Sequence, residues 1–272
     1  MITENTMKKR FLALILPFII SGCDNKPNLA KLCRDNKEIC DDYGKDSWCK
    51  TERNQLSLAR IALKHNQNDV EKFTVLLAYE DYIKCMALAS QIQHIKLKEK
   101  TTMRKNLLRK AKKSLLALTE ETVTSNNSHL LYYHWSRTGN KNSLNNFLSL
   151  EGTEVLDNSI DQFHLATHYV KRNPKKTLKL LYRSLELHIP DSQLEIEIFQ
   201  TLATVFSKNK QFKQGYVWLK MYELSHEKPE EWVSETLQQY IQAYELDETF
   251  LDEVAQTTLD KVLNGKFDSP KY

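Results

Sequence analysis

Two hydrophobic patterns run along this chain. One is a continuous apolar run from Phe11 to Ile20; the other, spread over the rest, returns every three or four residues. The second pattern is that of amphipathic α-helices. A helix is predicted from a cap at Ser47 to about His65, followed by a polar turn, Asn66-Gln67-Asn68-Asp69, and a second helix from about Val70 to Lys96. Further on, Ile196, Phe199, Ala203 and Phe206 form one stripe, and Leu194, Ile198, Leu202 and Val205 form another. A helix with two apolar stripes is covered on two sides, as an inner helix of a stack is.

The pattern also repeats. Leu165-Ala166-Thr167 returns as Leu202-Ala203-Thr204, an offset of 37, which also matches Tyr169 with Phe206, Lys176 with Lys213 and Glu186-Leu187 with Glu223-Leu224. A looser offset of 34 aligns Leu131, His134, Trp135 and Leu144 with Leu165, His168, Tyr169 and Leu178. Periods of this size belong to helix-turn-helix repeats such as tetratricopeptide repeats. The turns fall at Gly139-Asn140, Arg172-Asn173-Pro174 and Asn209-Lys210. The expected fold is all-α, with antiparallel hairpins stacked as a short tetratricopeptide-like solenoid; an irregular all-α domain is the plainer alternative. Only six glycines and six prolines occur in 272 residues, which disfavours turn-rich β folds and phosphate-binding loops.

The continuous run has a different meaning. Lys8, Lys9 and Arg10 precede it, and Ile20-Ser21-Gly22-Cys23 follows. It is too short to span a bilayer core of about 30 Å as a helix, and Pro17 interrupts it. Ile20-Ser21-Gly22-Cys23 resembles the lipobox of bacterial lipoproteins, which implies cleavage after Gly22 and acylation of Cys23. Two or three acyl chains make such an anchor durable, since one alone binds only marginally. Asp24 resembles an inner-membrane retention signal, with the outer membrane as the alternative. The expected address is the cell envelope, lipid-anchored and facing the periplasm. Removing residues 1–22 takes away Lys8, Lys9, Arg10 and Glu4, so the net charge of +4 falls to about +2. Nucleic acid is not an expected partner.

Export changes how the other cysteines are read. In an oxidising compartment Cys33, Cys40, Cys49 and Cys85 are expected to form two disulfides, for which three connectivities exist. No C-x-x-C spacing argues for zinc. Cys49 and Cys85 are equidistant from the turn centre at Gln67, so an antiparallel hairpin sets them side by side. The expected pairs are Cys49–Cys85 across the hairpin and Cys33–Cys40 closing a local loop. The resulting division is a signal peptide (1–22), a tether with a disulfide loop (23–45), a stapled hairpin and basic helix (46–120), helical repeats (121–264) and a disordered tail (265–272).

Tyr79-Glu80-Asp81-Tyr82-Ile83-Lys84-Cys85 and Leu130-Leu131-Tyr132-Tyr133-His134-Trp135-Ser136-Arg137 resemble a family of uncharacterised gamma-proteobacterial lipoproteins with a domain of unknown function. The resemblance covers about Leu29 to Leu224. It implies a tetratricopeptide-like fold and a lipid anchor, and it transfers no functional residue.

Four features remain as candidates. Tyr132, Tyr133, His134 and Trp135 are expected either to line a partner groove or to pack internally. His134 and His168 make a thin case for a metal pair, and no metal or cofactor is expected. Lys96 to Lys113 holds nine basic residues against Glu99 alone, and Glu223 to Glu253 holds ten acidic residues against Lys228. These runs are expected to be solvated faces, to touch a membrane or a charged partner, or to pair with each other. Glu80 and Asp81 are adjacent on a helix and diverge by about 100°, a poor arrangement for acid–base work on one substrate. No catalytic set, nucleotide loop or small-molecule site is evident. The leading expectation is a non-enzymatic scaffold or adaptor for another envelope protein. The rivals are a peptidoglycan- or glycan-acting enzyme or its regulator, and a structural membrane-surface protein.

Overall fold

The computed structural model describes residues 29–94, 96–192, 194–228 and 230–270, and every regular element among them is a helix. The expected signal segment, Cys23 and Asp24 lie outside the described residues. Two short helices, α1 (Leu29–Asp35) and α2 (Lys37–Cys40), are followed by α3 (Lys50–His65), α4 (Asp69–Ala89) and α5 (Lys98–Thr122). Then come α6 (Ser128–Thr138), α7 (Lys141–Ser149), α8 (Ser159–Tyr169), α9 (Pro174–Glu186), α10 (Glu197–Lys208) and α11 (Phe212–Leu224). The last two are α12 (Glu231–Tyr244) and α13 (Glu248–Leu263). Among the described residues no helix is long and apolar enough to cross a membrane.

Asparagine begins many of these helices. Asn68, Asn127, Asn140, Asn158 and Asn173 each accept a backbone N–H of the following first turn through the side-chain oxygen. Each such cap contributes about 1 kcal/mol. All three anticipated repeat turns are present. Gly139 ends α6 at φ 68°, Pro174 opens α9 behind Asn173, and Asn209-Lys210 joins α10 to α11 with Lys210 at φ 59°.

The repeat offsets correspond to helix pairs. The offset of 37 superposes α8/α9 on α10/α11, and the offset of 34 superposes α6/α7 on α8/α9. Helices pack in adjacent pairs, α3 with α4, α6 with α7, α8 with α9 and α10 with α11, as in a helical-repeat solenoid. Helix α10 is covered on two sides, burying Ile198, Phe199, Leu202, Ala203, Val205 and Phe206. The pairing stops there. Both α12 and α13 lie against α11 rather than forming another hairpin. Gly215 on α11 permits this crowding, because a Cβ there would stand 2.6 Å from Ser207 Oγ and 3.5 Å from Tyr240 Cε2.

The core has two main parts. One gathers Leu56, Ala59, Val75, Tyr82, Met86 and Ala111 from α3, α4 and α5; the larger one runs from Leu131 on α6 to Val262 on α13. Leu76, Leu130 and Tyr133 pack together between α4 and α6 and join the parts.

Both expected disulfides are present. Cys49 and Cys85 have Cα atoms 5.9 Å apart across the α3/α4 hairpin, and Cys33–Cys40 spans 5.7 Å. Three details differ from expectation. First, α3 begins at Lys50 rather than being capped by Ser47, which is exposed; the Asp46 carboxylate instead accepts the Trp48 N–H at 2.9 Å. Second, α4 ends at Ala89 rather than Lys96. Arg104 on α5 donates to the freed Ala89 carbonyl at 3.0 Å, and the Thr101 hydroxyl donates to the Ile92 carbonyl at 3.1 Å. These α5 side chains satisfy the connection that would otherwise continue as helix. Third, residues 265–270 are not a disordered tail. Phe267 is buried against Tyr182 and Trp218, and the Ser269 N–H donates to Glu186 at 3.2 Å.

Candidate functional site

The aromatic cluster on α6 divides between two neighbours. Tyr133 and His134 turn back toward the stapled half. The Tyr133 hydroxyl donates to Glu80 on α4 at 3.1 Å, and His134 Nε2 meets the Thr122 hydroxyl of α5 at 3.1 Å. Burial pushes His134 below its usual pKa, and pushes Tyr133 up to about 12 with help from the Glu80 charge. Tyr132 and Trp135 turn toward α8. Tyr132 stacks on His164 with centroids 3.6 Å apart and planes 7° from parallel, and Trp135 meets the edge of His168 at 5.3 Å. At 1% exposure His134 has no surface to offer a partner, so its place in the expected binding cluster is corrected to packing. Tyr132 and Tyr133 do line a cavity of about 300 Å³ with Phe73, Arg137, His164 and Glu195. The Glu195 carboxyl is raised above its usual pKa by burial and by neighbouring Glu197.

His134 and His168 do not converge, because one ring faces Thr122 and the other faces Trp135 and Tyr169. A different group does. His129, Asp161 and His164 bring their ligand atoms within 4.8 Å of one another. The signal for this group was Asp161-x-x-His164, an i,i+3 pair on one helical face, while His129 stands in the first turn of α6 and left no pattern of its own.

Glu80 is held by Arg137, whose Nε is 3.1 Å from each carboxylate oxygen, whereas Asp81 faces solvent. The two point apart, as adjacent helical residues do. The basic run and the acidic run do not pair among the described residues. Instead Arg104 and Lys110 of α5 engage Asp46 and Asp42, and Lys220 engages Glu223 and Asp252. Lys105, Arg109, Lys112 and Lys113 remain exposed on α5.

A cavity of about 890 Å³ left no pattern in the sequence, because the segment after α13 makes one of its walls. It runs along α9 beside Lys175, Lys179, Tyr182 and Arg183, and is closed by Ser269 and Pro270. A second cavity of about 510 Å³ adjoins it through Tyr182 and Pro270, with Lys213, Trp218, Lys261 and Phe267 in its walls. Lys176 and Arg183 are neutralised by Glu151 and by Asp157 and Glu186. Lys175, Lys179, Lys213, Lys261 and Lys266 are exposed and have no ion-pair partner among the described residues.

Paired helices, a disulfide-stapled entry and a long apolar groove with a basic rim define an all-helical repeat-type protein with two structural disulfides. The chain belongs to the DUF2989 family, described as a protein of unknown function, whose profile matches residues 20–220. No curated protein matches it, and no solved structure does.

Proposed function

We propose that this protein is a lipid-anchored, periplasm-facing lipoprotein whose tetratricopeptide-like helical pairs serve as an adaptor for another protein of the cell envelope. The observation that carries the adaptor reading is the double groove along α9 and α11. Its floor includes Tyr182, Trp218 and Phe267, and its rim holds five unpaired lysines. Apolar anchors within a polar rim are the anatomy of protein interfaces, and the charge favours an extended acidic segment. Two disulfides among the described residues support an oxidising compartment, and Cys23 in its lipobox setting supplies the anchor.

The test is crosslinking mass spectrometry on cells expressing the native chain beside a Lys175→Glu, Lys179→Glu form. The expected result is a reproducible envelope partner whose crosslinks fall on α9 and α11 and fade on charge reversal. Crosslinks that recover no partner, or that ignore the reversal, count against the reading. Labelled palmitate should enter the native chain and be absent from Cys23→Ala.

A glycan-acting enzyme draws support from one observation, the raised carboxyl of Glu195 in an aromatic-walled cavity. Release of peptidoglycan fragments that disappears with Glu195→Gln would establish it in place of the adaptor.

A further inference from the structure

Asp161 is 1% exposed, and its two carboxylate oxygens are treated differently. Oδ2 accepts from the Ser128 hydroxyl and from Asn158 Nδ2, each at 2.8 Å. Oδ1 is buried with no hydrogen bond, although it faces two imidazoles. His129 Nδ1 lies 3.4 Å from it and His164 Nδ1 lies 3.8 Å from it, and both nitrogens are likewise buried without a partner.

Three buried polar atoms facing one another without bonding require an explanation. These separations exceed the 2.7–3.2 Å of good N–H···O bonds. They lie close to the ~3.3 Å edge of a tetrahedron with metal–ligand distances of about 2.0–2.1 Å. We propose that His129, Asp161 and His164 form a three-ligand site for a divalent metal ion of the zinc class, tying α6 to α8.

The surroundings are those of a metal site. Ser128 and Asn158 orient the carboxylate through its far oxygen, the outer-shell support that metal ligands usually have. Phe73 stacks on His129 with centroids 5.2 Å apart, and Tyr132 stacks on His164, so both rings are held in place from α4 and α6. Neutral imidazole and ionised carboxylate are the forms that bind metal. Two imidazoles and a carboxylate suit zinc, and three protein ligands leave a fourth position for water or another group. This inference does not depend on the anchor or the adaptor reading.

The test uses the full chain in detergent, purified without a histidine tag and stripped with a chelator. Titration with Zn(II) should give one equivalent bound, and Co(II) should give the visible absorption of a tetrahedral site. Saturation at 100 times Kd should raise the thermal midpoint by ~5–10 °C. His129→Ala should abolish the Co(II) spectrum; this ring is the most accessible of the three, and far-UV circular dichroism checks that the variant folds. Ser128→Ala should weaken binding ~10–100-fold, and His168→Ala should leave it unchanged. An unliganded His–Asp–His cluster is the answer if the native chain binds neither ion, or if His129→Ala binds as tightly as the native chain.

Discussion

Arg104 and Asp46 meet as a buried fork: Nε lies 2.5 Å from Oδ2, Nη2 lies 3.0 Å from Oδ1, and both side chains are 2% exposed. The pair fastens the loop before α3 to α5, and its third bond, to the Ala89 carbonyl, ends α4.

This arrangement makes stability sensitive to acid. Hydrogen bonding from Arg104 holds the Asp46 carboxyl at about 2, against an ordinary 3.8, with the Trp48 N–H assisting against the opposing effect of burial. A carboxylate lowered on folding stabilises the native state above the ordinary value, and that contribution is lost as pH falls toward 2. The loss expected is about 2 kcal/mol. Urea unfolding between pH 6 and pH 2 should show this decline, and Asp46→Asn should flatten that part of it. The variant should be about 3–5 kcal/mol less stable at neutral pH, because it leaves a buried guanidinium without its counter-charge.

The two disulfides should differ in worth. Cys49–Cys85 closes 36 residues and Cys33–Cys40 closes seven. Loop-closure entropy assigns about 4 kcal/mol to the first and about 2.5 kcal/mol to the second. Double serine replacement of each pair, followed by denaturant melts, should reproduce this order. Equal losses would mean that local packing, rather than chain entropy, sets their value.

The C-terminal segment should contribute to stability. Phe267→Ala is expected to cost about 3 kcal/mol, the low end for a buried phenylalanine, since the segment after α13 can relax. The thermal midpoint should fall by ~6–12 °C. An unchanged midpoint would show that residues 265–270 leave the groove in solution.

Close packing at Gly215 gives a fourth expectation. Gly215→Val should destabilise by about 1–3 kcal/mol, because even a methyl group would meet Ser207 Oγ at 2.6 Å. Replacing Ser207 with alanine in the same chain should recover part of the loss, a coupling that a thermodynamic cycle measures.

What could be read from the sequence was local or symmetric. The α3/α4 hairpin centres on its polar turn, so equal spacing alone was enough to pair Cys49 with Cys85. Offsets of 37 and 34 marked the helix pairs because each pair buries the same stripe. The end of α4 was out of reach, since the residues that stop it, Thr101 and Arg104, stand on the next helix. The same holds for the metal ligands. Asp161 and His164 share a visible spacing, but His129 joins them only through packing across α6 and α8. Arg104 shares the helical spacing of Leu108, Ala111 and Leu115, and its meeting with Asp46, 58 residues away, explains how a charged residue is buried there.

The Cys49–Cys85 bridge also sets the path of mechanical load. Tension applied between the N-terminal end and the rest of the chain reaches Cys49 and crosses directly to Cys85. The hairpin of α3 and α4 then hangs outside the line of force. About 120 Å of contour, the extended length of the bypassed residues, is withheld from stretching. A protein pulled from its amino end would lengthen before Cys49 and beyond α4, leaving that hairpin between them as a rigid collar.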